Sequence, residues 1–467
     1  MVPPSPTFRV AVLGAGITGL TAAWYLRRAG AAVTVFEASP RAGGAIRSAA
    51  GDGWLQEAGP NSLLEGSPAV AELVEAVGLG PRRLYASVAA KHRYVVRAGR
   101  LVAMPSSPLG FLRTRLFSFR AKLALLGEPW RARSPAAAEE SVAQFVERRL
   151  GREFLDYAVN PLVGGVYAGD PRRLSVRHAF PKLHALEQKH GSLLRGALRQ
   201  RNTSGGPKGR IFSFPDGLEE LPRALAAALG GAMRLSDPVE VVRRTRDGWE
   251  IVTAAGGETH AGDFFAVVCA LPADALAALR FEGVPAAGPL AALREIEQPP
   301  VVSVFTGFRR ADVAHPLDGF GLLVPEVEQR RILGTLFSST LFPGRAPAGH
   351  VALTTFIGGA RSPELAGLDS AALGQLVRGE LGALLGVRGV PVCVGVRRHP
   401  RAIPQYALGH ARFQGLVAAA ETSAPGLFIG GNARDGISLA YCIESGRRLA
   451  QAVTGLPAAG SRPIFAQ

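Results

Sequence analysis

Apolar positions near the start of the chain predict a strand, a helix and a second strand in quick succession. Phe8 to Leu13 is a continuous β-prone run, and Ala32 to Phe36 is another. Between them, Thr18 to Ala29 has the apolar spacing of a helix, and Gly30 follows at the place where helices often end. The three segments predict a β-α-β unit.

Beyond this unit the pattern changes. The stretch Pro108 to Arg133 is rich in basic and aromatic residues and leads into helical sequence from Ser141 to about Leu198. Segments typical of an α/β domain then return: a helix at Leu218 to Leu229, short strands at Met233 to Leu235 and Val239 to Val242, and a buried strand at Asp263 to Leu271.

The last third predicts a mixed sheet and a closing strand-turn-helix unit. Several β-rich runs separated by Gly and Pro occupy Pro300 to Ile357. The remaining predicted elements are a helix near Ala371 to Leu385, a strand near Val392 to Arg397, a strand at Gly426 to Gly431 and a helix at Ile437 to Val453.

Composition narrows the class of protein. The 467 residues carry 53 Lys plus Arg against 37 Asp plus Glu, which favours anionic partners, although an Arg-rich and Ala-rich genome explains the surplus equally well. Cys269, Cys393 and Cys442 are odd in number and far apart, so we expect neither a disulfide framework nor a zinc site, and a reducing cytosolic setting fits best.

No segment of the sequence predicts export or membrane crossing. The leader from Met1 to Arg9 has no apolar core, and we therefore expect no secretory signal. No charge-free apolar run approaches the roughly 18 to 20 residues that a spanning helix requires.

A glycine-rich turn joins the first strand to the first helix. Gly14-Ala15-Gly16-Ile17-Thr18-Gly19 has the spacing that permits a tight turn, close approach of the backbone to a pyrophosphate, and close helix-strand packing. Glu37 ends the second strand 23 positions after Gly14, where a carboxylate can accept hydrogen bonds from ribose hydroxyls. Glycine-rich turns are common in a chain with 57 glycines, so the motif gains weight only from this context.

Longer runs carry a family resemblance. VLGAGITGLTAAWYLRRAGAAVTVFEASPRAGG resembles the nucleotide-binding signature of the FAD-dependent amine oxidases and porphyrinogen oxidases, which have a second glycine pair beyond the acid, here Gly43-Gly44. DFFAVVCALP (Asp263 to Pro272) and FIGGNARDGISLAYCIESGRRLA are similar to the central strand and the C-terminal flavin segment of that family. The resemblance implies FAD as cofactor, bound by discontinuous segments.

The resemblance also implies which residues contact FAD. They are Gly14, Ala15, Gly16, Ile17, Thr18, Gly19, Glu37, Ala38, Gly43, Gly44, Gly59, Pro60, Asn61, Ser62, Val239, His399, Ile437, Ser438 and Leu439. His399 departs from the family, which often has an aromatic residue there, and an imidazole can be neutral or charged near pH 7. Ile437, Ser438 and Leu439 begin a predicted helix whose N–H groups and positive dipole end can face the flavin and stabilise its reduced anion.

Three further stretches resemble the porphyrinogen oxidases in particular: KHRYVVRAGRLVAMPSSP, PLVGGVYAGDPRRLSVRHAFPKL and GFGLLVPEVEQRRILGTLFSSTLFPGRAP. By this resemblance Arg93 binds a substrate propionate, a task that suits the planar guanidinium. Gly165 lets the backbone approach the tetrapyrrole, and Asn61 is the candidate polar group near the reacting methylene. Leu322, Leu323, Phe337 and Phe342 are candidate apolar walls, some of which are equally well explained as core.

The implied activity is a porphyrinogen oxidase of haem biosynthesis. It removes six electrons from protoporphyrinogen IX, using FAD and molecular oxygen, and yields protoporphyrin IX and three H2O2. Coproporphyrinogen III is the alternative substrate, and an amine oxidase or carotene desaturase of the same fold is the alternative enzyme. The amine oxidases often attach flavin through a Ser-Gly-Gly-Cys-Tyr cysteine, whereas Cys442 lies in AYCIES.

A different class of function is a binding protein that uses its basic face on membranes or nucleic acid without turnover. The sequence contains no nucleic-acid motif that supports this alternative. His178, His184 and His190 are spaced by six, which separates neighbours on a helix, so we expect surface histidines and no metal site.

The predicted fold class is α/β, with a discontinuous Rossmann-like FAD-binding domain, a mixed-sheet substrate domain and a helical membrane-contacting insertion. The FAD-binding domain occupies residues 1–85, 206–284 and 415–467. The substrate domain occupies residues 86–105 and 285–414, and the helical insertion occupies residues 106–205. Pro108 to Trp130 suits shallow insertion beside acidic lipids. We therefore expect a cytoplasmic protein held peripherally at the inner face of the cell membrane, with a homodimer expected by analogy alone.

Overall fold

The structure is a computed structural model that describes residues 8–135, 138–203, 209–254 and 259–456. Most of the predicted leader therefore lies outside the described residues. The strands are β1 (Arg9–Leu13), β2 (Ala32–Glu37), β3 (Ser48–Gly51), β4 (Trp54–Glu57), β5 (Leu63–Glu65), β6 (Leu84–Tyr85), β7 (His92–Arg97), β8 (Arg100–Ala103), β9 (Arg210–Ser213), β10 (Met233–Leu235), β11 (Val239–Arg244), β12 (Trp249–Thr253), β13 (Thr259–Phe264), β14 (Ala266–Cys269), β15 (Arg280–Glu282), β16 (Val301–Arg309), β17 (Gly319–Leu323), β18 (Gly334–Leu336), β19 (His350–Gly358), β20 (Cys393–His399) and β21 (Leu427–Ile429).

The helices follow the same chain order. They are α1 (Ile17–Arg28), α2 (Pro68–Ala76), α3 (Pro108–Arg113), α4 (Phe119–Leu126), α5 (Val142–Arg149), α6 (Arg152–Phe154), α7 (Asn160–Tyr167), α8 (Val176–Ala179), α9 (Pro181–His190), α10 (Leu193–Thr203), α11 (Glu220–Leu229), α12 (Ala273–Ala278), α13 (Ser338–Leu341), α14 (Ser370–Leu385), α15 (Ala411–Ser423) and α16 (Leu439–Thr454).

A five-stranded parallel sheet draws its strands from the start, middle and end of the chain. Its order is β10-β2-β1-β14-β21, and Val12 of β1 lies between Val35 of β2 and Val268 of β14. Helices α1, α11 and α16 bury one face, while α12 and α15 bury the other. Because both faces are covered, the central strands β1 (from Val10) and β14 are continuous apolar runs, whereas the edge strand β10 is mostly exposed. The predicted β-α-β unit and the α/β fold class are confirmed.

The predicted strand from Asp263 to Leu271 is wrong, because the chain changes sheets in the middle of it. β13 belongs to a four-stranded sheet of order β13-β12-β11-β15, whereas β14 belongs to the parallel sheet. Phe264 packs in the core between the two sheets, and Phe265 contacts Phe8 at a ring distance of 5.4 Å. Because neighbouring residues are apolar on both sides of the break, the sequence pattern shows one uninterrupted run.

The seven-stranded sheet has two different faces. Its order is β20-β16-β19-β18-β17-β7-β8, so residues 92–103 complete a sheet otherwise built from residues 301–399. One face packs on α14, through Val302, Leu322 and Leu353 among others. The other is called the inner face here. By the strand register, its members include Arg93, Gly321, Leu323, Leu336, Phe356, Ser303, Arg397 and His399.

The helical insertion has its own apolar core, built around Phe145, Phe154 and Tyr167. Its predicted helical stretch is broken by a wider π turn at Leu155–Val159 and by a left-handed residue, Ala168 (φ 49°). The expectation of surface histidines is wrong for His178, which is half-buried and contacts the His410 ring at 5.4 Å. Among the described residues, no helix is both long and apolar enough to cross a membrane.

Candidate cofactor and substrate site

The first glycine turn packs tightly on two sides and is open on the third. Gly14 has φ +95°, and an added Cβ would lie 2.9 Å from the Ala270 carbonyl oxygen. A Cβ on Gly19 would overlap the Gly14 carbonyl, whereas one on Gly16 would have no described atom within 4 Å. Gly14 and Gly19 are therefore required by packing, and Gly16 presents bare backbone to an open space.

The start of α1 has the properties of an anion site. Gly16 is its N-cap, no described side chain caps the first turn, and that turn contains no acidic residue. The N–H groups at the start of the helix and the positive end of its dipole therefore face a space into which a phosphate fits. Ile17 and Thr18 form this first turn, and Thr18 is buried.

Glu37, at the end of the neighbouring strand β2, is hydrogen-bonded to the first glycine turn. Its carboxylate accepts hydrogen bonds from the backbone N–H groups of Ala15 (2.8 Å) and Ser39 (2.9 Å). Its carbonyl accepts from Asp237 N–H at 2.9 Å, two residues before Val239 begins β11. Glu37, the exposed Ala38 and Val239 are thus brought to one end of the turn, as an adenosine site requires.

The second glycine pair lies against the first turn. Gly43 (φ +108°) donates its N–H to the Ala15 carbonyl at 2.8 Å, and a Cβ on Gly44 would lie 3.3 Å from the Gly16 Cα. A Cβ on Gly59 would overlap the Ala45 carbonyl oxygen. Consequently the segment Gly59-Pro60-Asn61-Ser62 begins directly beside this pair.

Three arginines that were not predicted from the sequence lie around the second glycine pair, namely Arg41, Arg47 and Arg397. Arg41 donates to the carbonyls of Gly44 (2.6 Å) and Ile46 (3.1 Å). Burial lowers the Arg41 pKa, Glu219 opposes that change, and Arg47 and Arg397 lower it further. Arg397 Nε is buried without a hydrogen-bond partner in the described chain. A cluster of guanidiniums that includes a buried donor without a partner, Arg397 Nε, fits a pyrophosphate. The run RAGGAIR, which contains Arg41 and Arg47, was the sequence signal for two of the three.

His399 lies on the inner face beside this cluster. Desolvation lowers its pKa, the charge of Arg397 lowers it further, and the Ala58 backbone partly offsets both. The imidazole is therefore neutral at pH 7, whereas the sequence left its charge open. Its contact with Ala58 places it next to the Gly59 segment.

The C-terminal helix begins two residues later than predicted, at Leu439. Ser438 is its N-cap and accepts the Tyr441 N–H at 3.2 Å, with Ile437 preceding it. The Tyr406 hydroxyl accepts the Gly436 N–H (2.8 Å) and donates to the Asn432 carbonyl (2.5 Å), so one side chain closes the loop before the helix.

On the substrate side, Arg93 and Leu323 lie on the inner face, and Gly165 packs against Leu323. Arg93 is exposed on β7, stacks over the Phe320 ring at 5.5 Å, and has no ion pair among the described residues. Gly321, two residues before Leu323, is its partner in the sheet. Gly165 lies on α7, where an added Cβ would come within 2.5 Å of Leu323 Cδ2.

The other predicted wall residues divide between faces. Leu322 and Phe337 lie in the core against α14, because neighbouring residues of a strand point to opposite faces, and they do not line the inner face. Phe342 is buried and lines a cavity of about 10 Å³ with Asn61 and Leu336. Asn61 Nδ2 donates to the Gly59 carbonyl at 3.0 Å.

Two half-buried residues share the inner face with Leu323 and were missed, namely Leu336 and Phe356. Neither β18 (GTL) nor β19 (HVALTTFIG) alternates between polar and apolar residues, so the sequence carried no signal for these two residues, and the strand register identifies them. In the ranges that the structure describes, no group of three or more His, Cys, Asp or Glu residues is arranged to hold a metal ion.

Comparisons with known proteins agree with this geometry. The sequence profile of a family described as flavin containing amine oxidoreductase matches residues 17–454. Protoporphyrinogen oxidase 2 of Arabidopsis thaliana is 35% identical over 475 residues, which cover 95% of this chain and 93% of that protein. Coproporphyrinogen III oxidase of Bacillus subtilis is 27% identical, covering 94% of this chain and 96% of that protein.

A solved structure from Exiguobacterium sp. 255-15, provisionally assigned as a protoporphyrinogen oxidase, superimposes with a TM-score of 0.81. It is 25% identical and covers 96% of this chain and 98% of its own. The predicted FAD cofactor is confirmed at the level of the family. The roles of individual residues stay predictions.

Proposed function

The chain belongs to the flavin containing amine oxidoreductases, and we propose that it oxidises protoporphyrinogen IX to protoporphyrin IX with FAD and molecular oxygen. The observation that carries the proposal is Arg93, which is exposed, has no ion pair among the described residues and shares the inner face with Leu323, against which Gly165 packs. A flat, apolar ring that carries a carboxylate matches such a space.

When bound, FAD would supply the two-electron chemistry by which hydride equivalents leave the substrate and electrons reach oxygen, three times for each porphyrin. The chain supplies position. The start of α1 and the arginines around Gly43-Gly44 hold the pyrophosphate, and Glu37 accepts hydrogen bonds from the ribose. The start of α16, with its first N–H groups and positive dipole end, faces the flavin.

The substrate is held by complementary chemistry. Arg93 binds a propionate through its planar guanidinium, and Leu323, Leu336 and Phe356 contact the ring through apolar and aromatic surface. Gly165 offers backbone where a Cβ would narrow the space. Asn61, tied to the Gly59 carbonyl, orients a polar hydrogen of the substrate near the reacting carbon.

Coproporphyrinogen III, with four propionates instead of two, is the second candidate substrate. The coproporphyrinogen III oxidase of Bacillus subtilis is the more distant relative, at 27% identity, against 35% for the protoporphyrinogen oxidase 2 of Arabidopsis thaliana. We therefore propose protoporphyrinogen IX as the preferred substrate and include both in the test.

The proposal is tested by turnover of purified, FAD-loaded protein with each porphyrinogen in parallel, following porphyrin fluorescence and hydrogen peroxide. We expect Arg93→Ala to raise KM at least tenfold, because a hydrogen-bonded charge pair is lost. Arg100→Ala, an exposed arginine on the neighbouring strand β8, is the control and leaves KM unchanged. Bound FAD without oxidation of either porphyrinogen would overturn the proposal and favour an amine oxidase or a desaturase.

Peripheral membrane contact and the homodimer belong to the proposal as well. Six large apolar side chains between Leu109 and Trp130 are 50% to 79% exposed, and they are called the apolar patch here: Leu109, Leu112, Phe119, Leu123, Leu126 and Trp130. Arg113, Arg115 and Arg120 are exposed among them. Exposed apolar residues with basic neighbours support shallow contact with an acidic lipid surface such as the inner face of the cell membrane.

A further inference from the structure

The loop that follows β17 is hydrogen-bonded to two of the elements that carry proposed substrate contacts, the β7–β8 hairpin and α7. It runs from Val324 to Gln329 and is called the connecting loop here. Its neighbours are β17 with Leu323, β7 with Arg93, and α7 with Gly165. The bonds to α7 use buried or half-buried groups, whereas the bonds to the β7–β8 hairpin join exposed N–H groups to the half-buried Glu328.

Asn160, the first residue of α7, makes the bonds to the helix. Its side chain is 6% exposed. Oδ1 accepts from the Glu326 N–H at 2.9 Å and from Arg361 Nη2 at 3.1 Å, while Nδ2 donates to Glu326 Oε2 at 3.0 Å. The amide thus uses both of its ends to join the helix to the connecting loop.

Arg361 completes the junction from the end of β19. Its Nη1 donates to the Val324 carbonyl at 2.9 Å, and it has no carboxylate within ion-pair distance in the described part of the chain. Burial lowers the Arg361 pKa, against the opposing charge of Glu326. A guanidinium held mainly by an amide and a carbonyl adds little net stability, which favours a role in setting geometry.

Glu328 makes the corresponding bonds to the β7–β8 hairpin. Its two carboxylate oxygens accept the N–H groups of Ala98 (2.7 Å) and Gly99 (2.9 Å) at the hairpin tip. The connecting loop therefore fixes the strand of Arg93 as well as the helix of Gly165.

Two side chains pack directly on the backbone of α7. A Cβ on Gly164 would lie 3.2 Å from Arg361 Nη2, and one on Gly165 would lie 2.5 Å from Leu323 Cδ2. Helix α7 is only eight residues long, with a π turn before it and a left-handed residue after it. Its position relative to β17 consequently depends on side-chain bonds near its start.

We propose that Asn160 is a positioning residue that holds the backbone at Gly165 against Leu323, and that it thereby sets the shape of the inner face and the affinity for the tetrapyrrole. The inference rests on the proposed function, because it assigns the tetrapyrrole to the inner face. Asn160 itself does not contact the substrate. It acts through α7 and the connecting loop.

The test is Asn160→Asp, which keeps the size and the Oδ1 acceptor but removes the Nδ2 donor and places a second carboxylate beside Glu326. The probe is protoporphyrin IX, whose binding to the FAD-loaded protein is followed by fluorescence titration without turnover. We expect Kd for the porphyrin and KM for the porphyrinogen to rise about tenfold, with kcat within about twofold and the FAD absorbance unchanged.

The double variant Asn160→Asp/Glu326→Gln restores a donor on the other side of the bond and is expected to recover most of the affinity. Glu380→Gln is the matched control. Glu380 anchors Arg330 (2.9 Å) and the Arg331 N–H (3.2 Å) to α14 on the far side of the sheet, and its loss leaves Kd unchanged.

The possible outcomes are distinguishable. If the wild-type protein neither binds nor oxidises a tetrapyrrole, the proposed function fails. If the wild type does both and Asn160→Asp binds porphyrin with the wild-type Kd, the positioning role is overturned. Equal weakening by Glu380→Gln, or no recovery in the double variant, reduces Asn160 to a general contributor to folding and also overturns it.

Discussion

Two adjacent leucines show how much depends on the direction of a single side chain. Leu322 is buried in the core against α14, and Leu323 is half-exposed on the inner face. The sequence motif identified both as substrate walls because a motif has no direction. The register of the sheet separates them and adds Leu336 and Phe356 to the inner face.

This separation predicts different consequences for two truncations. Phe356→Ala is expected to raise KM for the porphyrinogen about tenfold, since it removes aromatic surface from the proposed ring contact. Leu322→Ala is expected to lower the free energy of unfolding by about 2–5 kcal/mol with KM unchanged. Steady-state kinetics and denaturant unfolding of both variants test the assignment of Phe356 to the inner face and of Leu322 to the core. A raised KM in Leu322→Ala alone would reverse that assignment.

His410 is a buried base whose pKa is shifted far from its ordinary value. It is 1% exposed and stacks on the Tyr406 ring at 4.3 Å; neither ring nitrogen forms a hydrogen bond of full geometry in the described part of the chain, although the Ala433 backbone lies close enough to oppose the lowering of its pKa. Desolvation, with a smaller effect from His178, lowers its pKa to about 4. The folded protein therefore holds this imidazole neutral where an unfolded chain protonates it.

The free energy of unfolding should consequently fall as the pH drops from about 6.5 to about 4. In that window the unfolded state binds the proton and the folded state does not, a difference of up to about 3 kcal/mol. His410→Phe, which keeps the stacking, should show a shallower slope while matching the wild type more closely at pH 8. Chemical unfolding at five pH values measures both slopes, and parallel curves would contradict the assignment.

At the scale of elements, the contact between α1 and α16 holds the two ends of the cofactor domain together. A Cβ on Gly446 would overlap the Thr18 carbonyl oxygen and lie 2.7 Å from the Thr21 Cβ. The two helix starts that face the cofactor in our proposal are thus kept in register by a backbone contact that only glycine allows.

Gly446→Ala is expected to lower the free energy of unfolding by about 1–3 kcal/mol and to weaken FAD binding, because the helices must separate. Gly415→Ala in α15, where a Cβ meets no described atom within 4 Å, is the control and should be neutral or slightly stabilising. Melting temperature and FAD titration measure both effects. Full FAD affinity in Gly446→Ala would show that the helix spacing is not critical.

Much of the element pattern was predictable, for a physical reason. Parallel strands covered on both faces are continuous apolar runs, and the glycine turn between β1 and α1 has a fixed spacing, so both were visible in sequence. The break at Phe265 was not, because both halves of that run are buried. The start of α16 at Leu439 instead of Ile437 depends on the Ser438 cap, and the grouping of Arg41, Arg47 and Arg397 requires a tertiary contact.

At the scale of the whole molecule, the apolar patch lies on the helical insertion, on helices α3 and α4 and the turn that follows them. Beneath the patch, the insertion has a buried apolar core and a fully buried ion pair between Glu128 and Arg149. The helices that carry the patch are therefore supported by well-packed structure. A patch of this kind can contact lipid without disturbing the cofactor domain.

The variant Phe119→Ser/Leu123→Ser/Trp130→Ser is expected to reduce binding to vesicles containing acidic lipids at least fivefold, since three exposed apolar side chains are removed. Val390→Ser/Val392→Ser/Val394→Ser, which replaces three valines that are 49% to 66% exposed in and before β20, is the matched control. Vesicle sedimentation measures binding, and detergent-free turnover confirms that both variants are folded. Unchanged sedimentation of the first variant would exclude the patch as the lipid contact.

The order of strands in the parallel sheet also has a consequence for synthesis. β1 and β2 are synthesised before the other strands of this sheet, β14 follows after more than 200 further residues, and β21 with α16 comes only after residue 426. The nucleotide site therefore stays incomplete until β21 and α16 have been made, and its nascent half exposes apolar strand edges until then. A ribosome that stalls before β21 leaves a chain unable to close around its cofactor, so flavin retention reports on chains that have reached α16.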